Sequence, residues 1–534
     1  MIKQFPDLVG MGPRDQSRSS ARADAAAGAA LALLALSWGL LAAPRGYAEG
    51  DASELTLALA LAGMPHPTGY PIYVLAGHAV TTALHALGVS WPVAANAWSA
   101  LGSAVAAFFL HRIALALAGP FLPARGAGRA LLSTLPLLPL LVQPIWSAAA
   151  TGAEVTSWHL AWVMGAAWVA WRIAGRDECA PGAVPVPLRR LQGRFLAWGA
   201  ILGLGASHHA TALLVGAPLT AWIAARRVSS WCARMKVSAS LPPALLSLLL
   251  GMSLPILSWG WIVYRAWNPA AFQWPLLEPG LAGLSAHLTG KAYTGYLGGF
   301  NPSSAEIQQL VSALPWIGLS LPTVAMAMVT RERSPARSFA IAIGVAIVAQ
   351  AAFVLAYRVP DPSAHLLPIL ALGSLWLPLL AARLAARAGR VVVALLGASL
   401  LVGLLPAWVS ADLRARRSAE ETDRIVRAAW RSVPFDRGLV FWNNDLYARL
   451  RAYQILEGDR PGLLVAHPGV LTWTGPRRRF QEAQGFDPWD GVTPTSDSDL
   501  ARLPALAERA GGLPAIDFDD LIRSAAGGAE RGSP

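Results

Sequence analysis

The stretch from Gly28 to Pro44 reads GAALALLALSWGLLAAP and is followed by Arg45. It holds about 17 residues without a charge, the lower limit for a helix that crosses a bilayer. Lys3, Arg14, Arg18 and Arg22 precede it. A basic stretch before an apolar run also describes a signal peptide. The length of this run and the Pro44-Arg45 after it favour an uncleaved anchor.

Runs of the same kind recur at 92–118, 130–150, 155–174, 195–207, 210–225, 240–264, 312–330, 338–357, 364–383 and 391–408, which makes eleven expected spans. The runs 195–207 and 210–225 share the polar break Ser207-His208-His209 and read as two helices meeting at one membrane face, with a re-entrant hairpin as the alternative. Composition agrees with a membrane protein. The 534 residues are 54% hydrophobic and 14% charged, with a mean hydropathy of +0.44. A soluble chain carries roughly 25% charged residues. The fold class is therefore a polytopic α-helical membrane protein. Cys179 and Cys232 form neither a disulfide framework nor a metal-ligand spacing.

A net charge of +12 on a soluble chain would suggest nucleic acid. Here the charge falls in alternate loops: Arg125 and Arg129, then Arg172, Arg176, Arg189, Arg190 and Arg194, then Arg226, Arg227, Arg234 and Lys236, then Arg331, Arg333 and Arg337, then Arg383, Arg387 and Arg390. Lys and Arg collect on the cytoplasmic side of a membrane. The expected partner of this charge is the lipid bilayer, with no nucleic acid. The expected protein is a multi-pass component of the cell inner membrane, with a cytoplasmic N-terminus and an extracytoplasmic C-terminus. Before residue 409 the cations left outside are Arg45, Arg265, Lys291 and Arg358.

Three segments follow: a basic cytoplasmic segment 1–27, a transmembrane domain 28–408, and a C-terminal domain 409–534. The last contains a strand-like run, Gly438 to Trp442, and a helix-like run, Asp445 to Leu456. It reads as a small α/β extracytoplasmic domain. Its Gly-, Ser- and Asp-rich stretch 485–500 and its last ten residues are expected to be loose.

The first outer loop, 45–91, concentrates the scarce outside acids. It reads Glu49-Gly50-Asp51-Ala52-Ser53-Glu54-Leu55, then a helical run to Gly63, then His66-Pro67-Thr68-Gly69-Tyr70-Pro71, then a further interfacial or re-entrant helix over 72–88. Asp51 at an N-cap with Glu54 at N3 is a capping box. The same placement holds a carboxylate rigidly at a helix N-terminus on the aqueous side, as a general base requires.

These residues resemble a family. Gly50-Asp51-x-x-Glu54-Leu55 followed by His66-Pro67-Thr68-Gly69-Tyr70-Pro71-x-Tyr73 is similar to the start of the bacterial protein O-mannosyltransferase-like membrane family. The resemblance continues through Asn96-x-x-Ser99-Ala100, Trp146-Ser147, Glu154-Val155, His159-Leu160 and Gly203-x-Gly205-x-x-His208-His209. It continues further through Tyr264-Arg265, Gly290-Lys291-x-Tyr293, and Asp361 with Pro368. It covers roughly residues 28–370, with a weaker likeness from Asp445 to Pro461. Ala52-Ser53 and His365 depart from the common pattern without removing a charge.

The resemblance implies a GT-C class glycosyltransferase fold and a lipid-phosphate sugar donor. It implies transfer of a sugar, with mannose as one candidate, from a polyprenyl-phosphate donor to an acceptor hydroxyl on the outer face, with protein Ser/Thr as the expected acceptor. A carboxylate must take the proton as the hydroxyl attacks the anomeric carbon. Asp51 is the expected base, with Glu54 one turn on, on the same helix face. The departing phosphate needs cations. The donor-phosphate or substrate-binding candidates are Arg265, Lys291, Arg358, His66, Tyr70, His208, His209, Tyr293 and Asp361. Each has a plainer reading beside it. Arg265 and Arg358 could anchor helix ends by snorkelling. His208-His209 could be a satisfied helix-end pair, and Asp361 an N-cap. Trp259, Trp261, Trp267 and Trp274 form an interfacial aromatic belt, with sugar stacking as the lesser reading. No cofactor is expected; a divalent metal has ligand types available but no signature spacing. The rival functions are a GT-C enzyme acting on a lipid or envelope glycan, and a transporter or flippase. Transporters set charges near the bilayer midplane and show inverted repeats; here the acids sit near outer helix ends.

Overall fold

The computed structural model describes residues 13–118, 127–175, 188–232, 241–298, 335–358, 363–388, 390–444, 446–492 and 497–531, with single positions between 311 and 325 and at 494. The helices are α1 (Pro13–Ala42), α2 (Ala52–Leu61), α3 (Pro71–Ala86), α4 (Trp91–Ala118), α5 (Ala127–Thr134), α6 (Leu138–Leu141), α7 (Pro144–Thr151) and α8 (Thr156–Ala174). Then come α9 (Leu188–Ala206), α10 (Ala212–Cys232), α11 (Leu241–Ile256), α12 (Trp259–Trp267), α13 (Leu281–Leu288), α14 (Pro335–Ala356), α15 (Leu367–Ser374), α16 (Leu377–Ala388) and α17 (Arg390–Arg431). The C-terminal part adds α18 (Tyr447–Glu457), α19 (Pro468–Leu471), α20 (Thr474–Gln484), α21 (Asp497–Gly511) and α22 (Phe518–Arg531).

The chain is a multi-pass membrane protein. Among the described residues, five helices are long and apolar enough to cross a bilayer, or six if one bent pair is a single span. The bent pair is the expected span 130–150. Leu132–Leu141 and Pro144–Thr151 meet at 90°, because Pro136, Pro139 and Pro144 each remove a backbone donor and interrupt the helix. The runs around His208-His209 form two separate helices, α9 and α10. The expected span 312–330 lies largely outside the described residues. The core of the bundle is made by α4, α8, α14 and α15, where Leu110, Ile113, Met164, Ile343 and Leu370 are buried. On α11, Leu245, Leu246, Leu249, Leu250 and Leu254 stay exposed, as a helix facing lipid should.

Glycines set the closest helix pair. A Cβ on Gly199 would lie 2.0 Å from the Leu248 carbonyl, on Gly203 2.4 Å from that of Met252, and on Gly251 2.1 Å from that of Leu196. Small residues four apart let membrane helices touch backbone to backbone, and α9 and α11 do so here.

The C-terminal sheet is parallel, in the order β2-β1-β3, from β1 (Gly438–Phe441), β2 (Leu463–Ala466) and β3 (Ala515–Asp517). Gly438 pairs with Leu463, and Leu439 with Ala515. The strand and the helix expected after residue 437 are both present. The described part of 485–500 corrects the expectation of looseness. Asp487 accepts from Arg477 Nε at 2.8 Å and from the backbone N–H of Trp489 and Gly491, and Trp489 is fully buried. One carboxylate thus orders the turn that a reading of composition treats as unstructured.

The glycine seam gives the first prediction. Gly199→Ala places a methyl group against a backbone carbonyl and should lower thermal stability in detergent by about 1–3 kcal/mol. Gly193→Ala, in the same helix with nothing within 4 Å, should raise it by up to about 1 kcal/mol. Thermal unfolding of the two variants checks the opposite signs.

Candidate active site

Asp51 occupies the N-cap position of α2, but its side chain makes no capping hydrogen bond. The capping-box reading is therefore corrected. Glu54 does not reach back to Asp51; it reaches forward by twelve residues. One of its oxygens accepts the His66 backbone N–H at 2.6 Å, and the other lies 3.3 Å from His66 Nδ1. His66 Nε2 stands 3.9 Å from the Asp51 carboxylate and 2.9 Å from the Tyr70 hydroxyl. The two carboxylates and the imidazole form one cluster.

The chain folds this way because Glu54 and His66 are both largely buried, each side chain 12% exposed. A buried charge needs a partner. The chain on either side of His66 turns on residues in the left-handed region: Ala62 at φ 43°, Gly69 at φ 82° and Tyr70 at φ 45°. Non-glycine residues rarely adopt that conformation and concentrate at functional sites. Gly69 is also required sterically, since a Cβ there would meet Met64 Sδ at 2.8 Å and His287 Nε2 at 3.0 Å. The Trp274 backbone N–H donates to the Met64 carbonyl at 2.7 Å, and this lays the 271–277 segment over the loop.

The electrostatics follow from burial and neighbours. Burial works against a charge on His66, but Glu54 and Asp51 outweigh it and lift its pKa from 6.5 to about 9. The imidazole is thus a cation at neutral pH. Asp51 is 48% exposed at its side chain, yet the surrounding protein still raises its carboxyl; His66 acts downward and Glu54 upward. Burial holds the Tyr70 phenol well above its ordinary range, so it remains a donor.

Aromatic rings extend the cluster. Trp274 and Tyr293 both stand edge-on to His66, with ring centroids 6.2 Å away. Tyr70 stacks on His209 at 5.8 Å. His209 continues to His159 at 4.9 Å and to His365 at 5.8 Å. Burial, with His159 and His365 adding to it, keeps His209 uncharged. His208 turns the other way, toward Tyr73 at 6.1 Å and His159 at 6.0 Å.

So Asp51, Glu54, His66, Tyr70, Tyr293 and His209 come together, with His208 one ring further on. Three expected cations are spread around them. Arg265 donates to the carbonyls of Ala62 at 2.8 Å and Leu61 at 3.2 Å, so its guanidinium serves the C-terminal end of α2. Lys291 is exposed and opens the short helical turn Lys291–Tyr296 that presents Tyr293. The Arg358 backbone N–H donates to the Tyr296 carbonyl at 2.7 Å, which fixes the far end of that turn. Asp361 lies outside the described residues. The sequence reading did not single out His287. Both of its ring nitrogens are buried without a hydrogen-bond partner, and it backs the His66–Tyr70 loop through Gly69. Its spacing to Lys291 carries no motif that would have found it.

Asp51, Glu54 and His66 each offer one ligand atom, and the three atoms lie within 4.8 Å of one another. The set is able to hold a divalent ion in place of the proton on His66.

Comparison with known proteins adds two findings. Residues 51–231 match the family model described as the Protein O-mannosyl-transferase TMEM260 N-terminal domain. The fold is similar to the crystal structure of ArnT from Cupriavidus metallidurans bound to undecaprenyl phosphate, with a TM-score of 0.51 and 14% identity, over 84% of this chain and 91% of that one. No curated protein matches the chain.

The charge on His66 yields a pH prediction. Its folded pKa is raised, so its contribution to stability is complete below about 6.5 and is lost as pH rises through about 9. The thermal midpoint of the protein should fall across that window. In His66→Asn that fall should be absent; an identical fall in the variant would refute the assignment.

Proposed function

Taking the chain as a membrane glycosyltransferase of the GT-C fold, we propose that it moves a sugar from a polyprenyl-phosphate donor to an acceptor hydroxyl, with protein Ser/Thr as acceptor and mannose as the leading sugar. The carrying observation is the cluster of Asp51, Glu54 and His66 at the start of α2. The family match at residues 51–231 supports transfer to protein. The neighbour bound to undecaprenyl phosphate supports the donor class.

Asp51 is the base in this reading. It is the more exposed of the two carboxylates, so an acceptor can reach it, and its raised pKa makes it a stronger proton acceptor than an ordinary carboxylate. The acceptor oxygen attacks the anomeric carbon while Asp51 takes its proton. The bond from that carbon to the phosphate oxygen breaks, and the lipid phosphate leaves. Glu54 does not meet the acceptor; it holds His66. Protonated His66, the Tyr70 hydroxyl and the Lys291 ammonium supply positive charge and donors for the departing phosphate. The neutral rings of Trp274, Tyr293 and His209 line the sugar position.

In this reading no metal or cofactor is needed, because His66 already carries the cation. Chelation by EDTA should leave the rate unchanged. A loss restored by a divalent ion would assign the triad to a metal.

The reading extends to topology: the site lies on the extracytoplasmic face of the inner membrane, with the N-terminus inside and residues 409–534 outside. A reporter fused at Pro534 should read extracytoplasmic. Asp51→Asn should cut glycan transfer by about 10²–10⁴-fold with membrane insertion and undecaprenyl-phosphate binding retained. Glu54→Gln should also depress transfer. Full activity in both single variants would end the catalytic assignment. For Lys291→Ala, weaker binding of polyprenyl phosphate is expected, and unchanged affinity would remove it from the phosphate site.

A further inference from the structure

The segment that delivers Asp51 is held from the far end of the chain. Between α1 and α2, residues 43–50 cross the surface made by α17 and α18. Arg416 Nη1 donates to the Leu41 carbonyl at 2.7 Å. The Arg45 backbone N–H donates to Glu420 at 3.3 Å. Gly46 lies against Asp423, where a Cβ would approach its carboxylate to 2.8 Å. Tyr47 is 1% exposed and meets Tyr453 edge-on at 5.7 Å. The Thr422 hydroxyl donates to Glu49 at 3.3 Å. One hydrophobic core contains Tyr47, Leu57 of α2, Phe272, Val426 and Trp430 of α17, and Leu450 and Tyr453 of α18. The active-site helix and the C-terminal part therefore share a single core.

Arg449 is the centre of this contact. It is completely buried. Its Nη2 donates to the Ala48 carbonyl at 2.8 Å, three residues before Asp51. Its Nη1 faces Asp423 at 3.9 Å, beyond hydrogen-bond reach, and Asp423 is already engaged by the Tyr453 hydroxyl at 2.7 Å and Arg427 Nε at 3.1 Å. Two of its donors, Nε and Nη1, have no acceptor. A buried guanidinium so incompletely paired costs stability, and local rules of this kind are broken at functional positions.

We propose that Arg449 is a positioning residue for the glycosyl transfer: it fixes the Ala48–Asp51 segment, so that the C-terminal domain forms one wall of the active-site scaffold. Its reach to Ala48 spans 401 positions of sequence. The inference rests on Asp51 as the base. A misplacement of about 1 Å can cost about 10²-fold in rate. The Ala48 carbonyl sets the start of α2 because Gly50, at φ 64°, is the turn between them.

The test uses the full-length protein in lipid nanodiscs, with undecaprenyl phosphate as binding probe and transfer from a polyprenyl-phosphate mannose as reaction. Arg449→Met should lower kcat by about 10²-fold and leave undecaprenyl-phosphate affinity unchanged. It should also move the basic limb of the pH–rate profile to lower pH, because a released Asp51 no longer supports the charge on His66. The groups facing His66 are Glu54, Asp51, Tyr70, Glu154 and Tyr293, with His209 and His287 nearby; Asp51 alone of these lies on the segment that Arg449 holds. Arg449→Lys retains a donor for Ala48 and should restore most of the rate and the wild-type limb. A folded Arg449→Met with wild-type kcat and limb overturns the proposal. If Arg449→Met does not fold, Arg449→Gln removes the charge and shortens the side chain away from Ala48, and wild-type kcat and limb there overturn the proposal equally. Activity in Asp51→Asn would instead refute the base, a separate result.

Discussion

One buried carboxylate organises this candidate site. Glu54, in the first turn of α2, is largely shut off from solvent, and it takes both the backbone N–H and the imidazole of His66. That choice fixes the path of residues 64–70. The path presents the Tyr70 hydroxyl to the imidazole and the Met64 carbonyl to Trp274. It also makes His66 a cation, and that cation stands 3.9 Å from the Asp51 carboxylate. In the proposed reaction, the side that accepts a proton and the side that receives a phosphate therefore share an anchor. Neither can be rearranged without disturbing the other.

The membrane character was legible because length without charge is a local property: a run such as Gly28 to Pro44 declares itself. The break in 130–150 was not legible from hydropathy. Pro136, Pro139 and Pro144 count as apolar while removing backbone donors. Asp51 and Glu54 stood out because acids are rare in the loops beside the membrane. The helix-cap and general-base readings both stayed open, since they rest on the same two residues. The competitor that won was His66, twelve positions away and invisible to any helical spacing. Arg265 was legible as a scarce cation, but its partners, the carbonyls of Leu61 and Ala62, exist only once α12 has packed beside α2. Arg449 and His287 carried no sequence signal. One contacts a residue some four hundred positions earlier; the other acts by lying behind a glycine.

The likeness to a solved glycosyltransferase at 14% identity fits the way this chain is built. Much of the bundle is small and apolar, and such interiors tolerate substitution where volume is kept. The constrained positions are those where backbone meets backbone, as at Gly199, Gly203 and Gly251, or where a turn enters the left-handed region, as at Gly69 and Tyr70. The fold can persist through wide sequence change while these few positions stay fixed.

The helix α17 runs for 42 residues, with Pro406 inside it. At 1.5 Å per residue it is about 63 Å long, roughly twice the thickness of a bilayer's hydrocarbon layer. Its C-terminal half carries the contacts to the 41–49 segment, through Arg416, Glu420, Thr422 and Asp423. The stretch before Asp51 and the C-terminal core are therefore tied to one continuous helix, and a displacement of that helix would be passed to both.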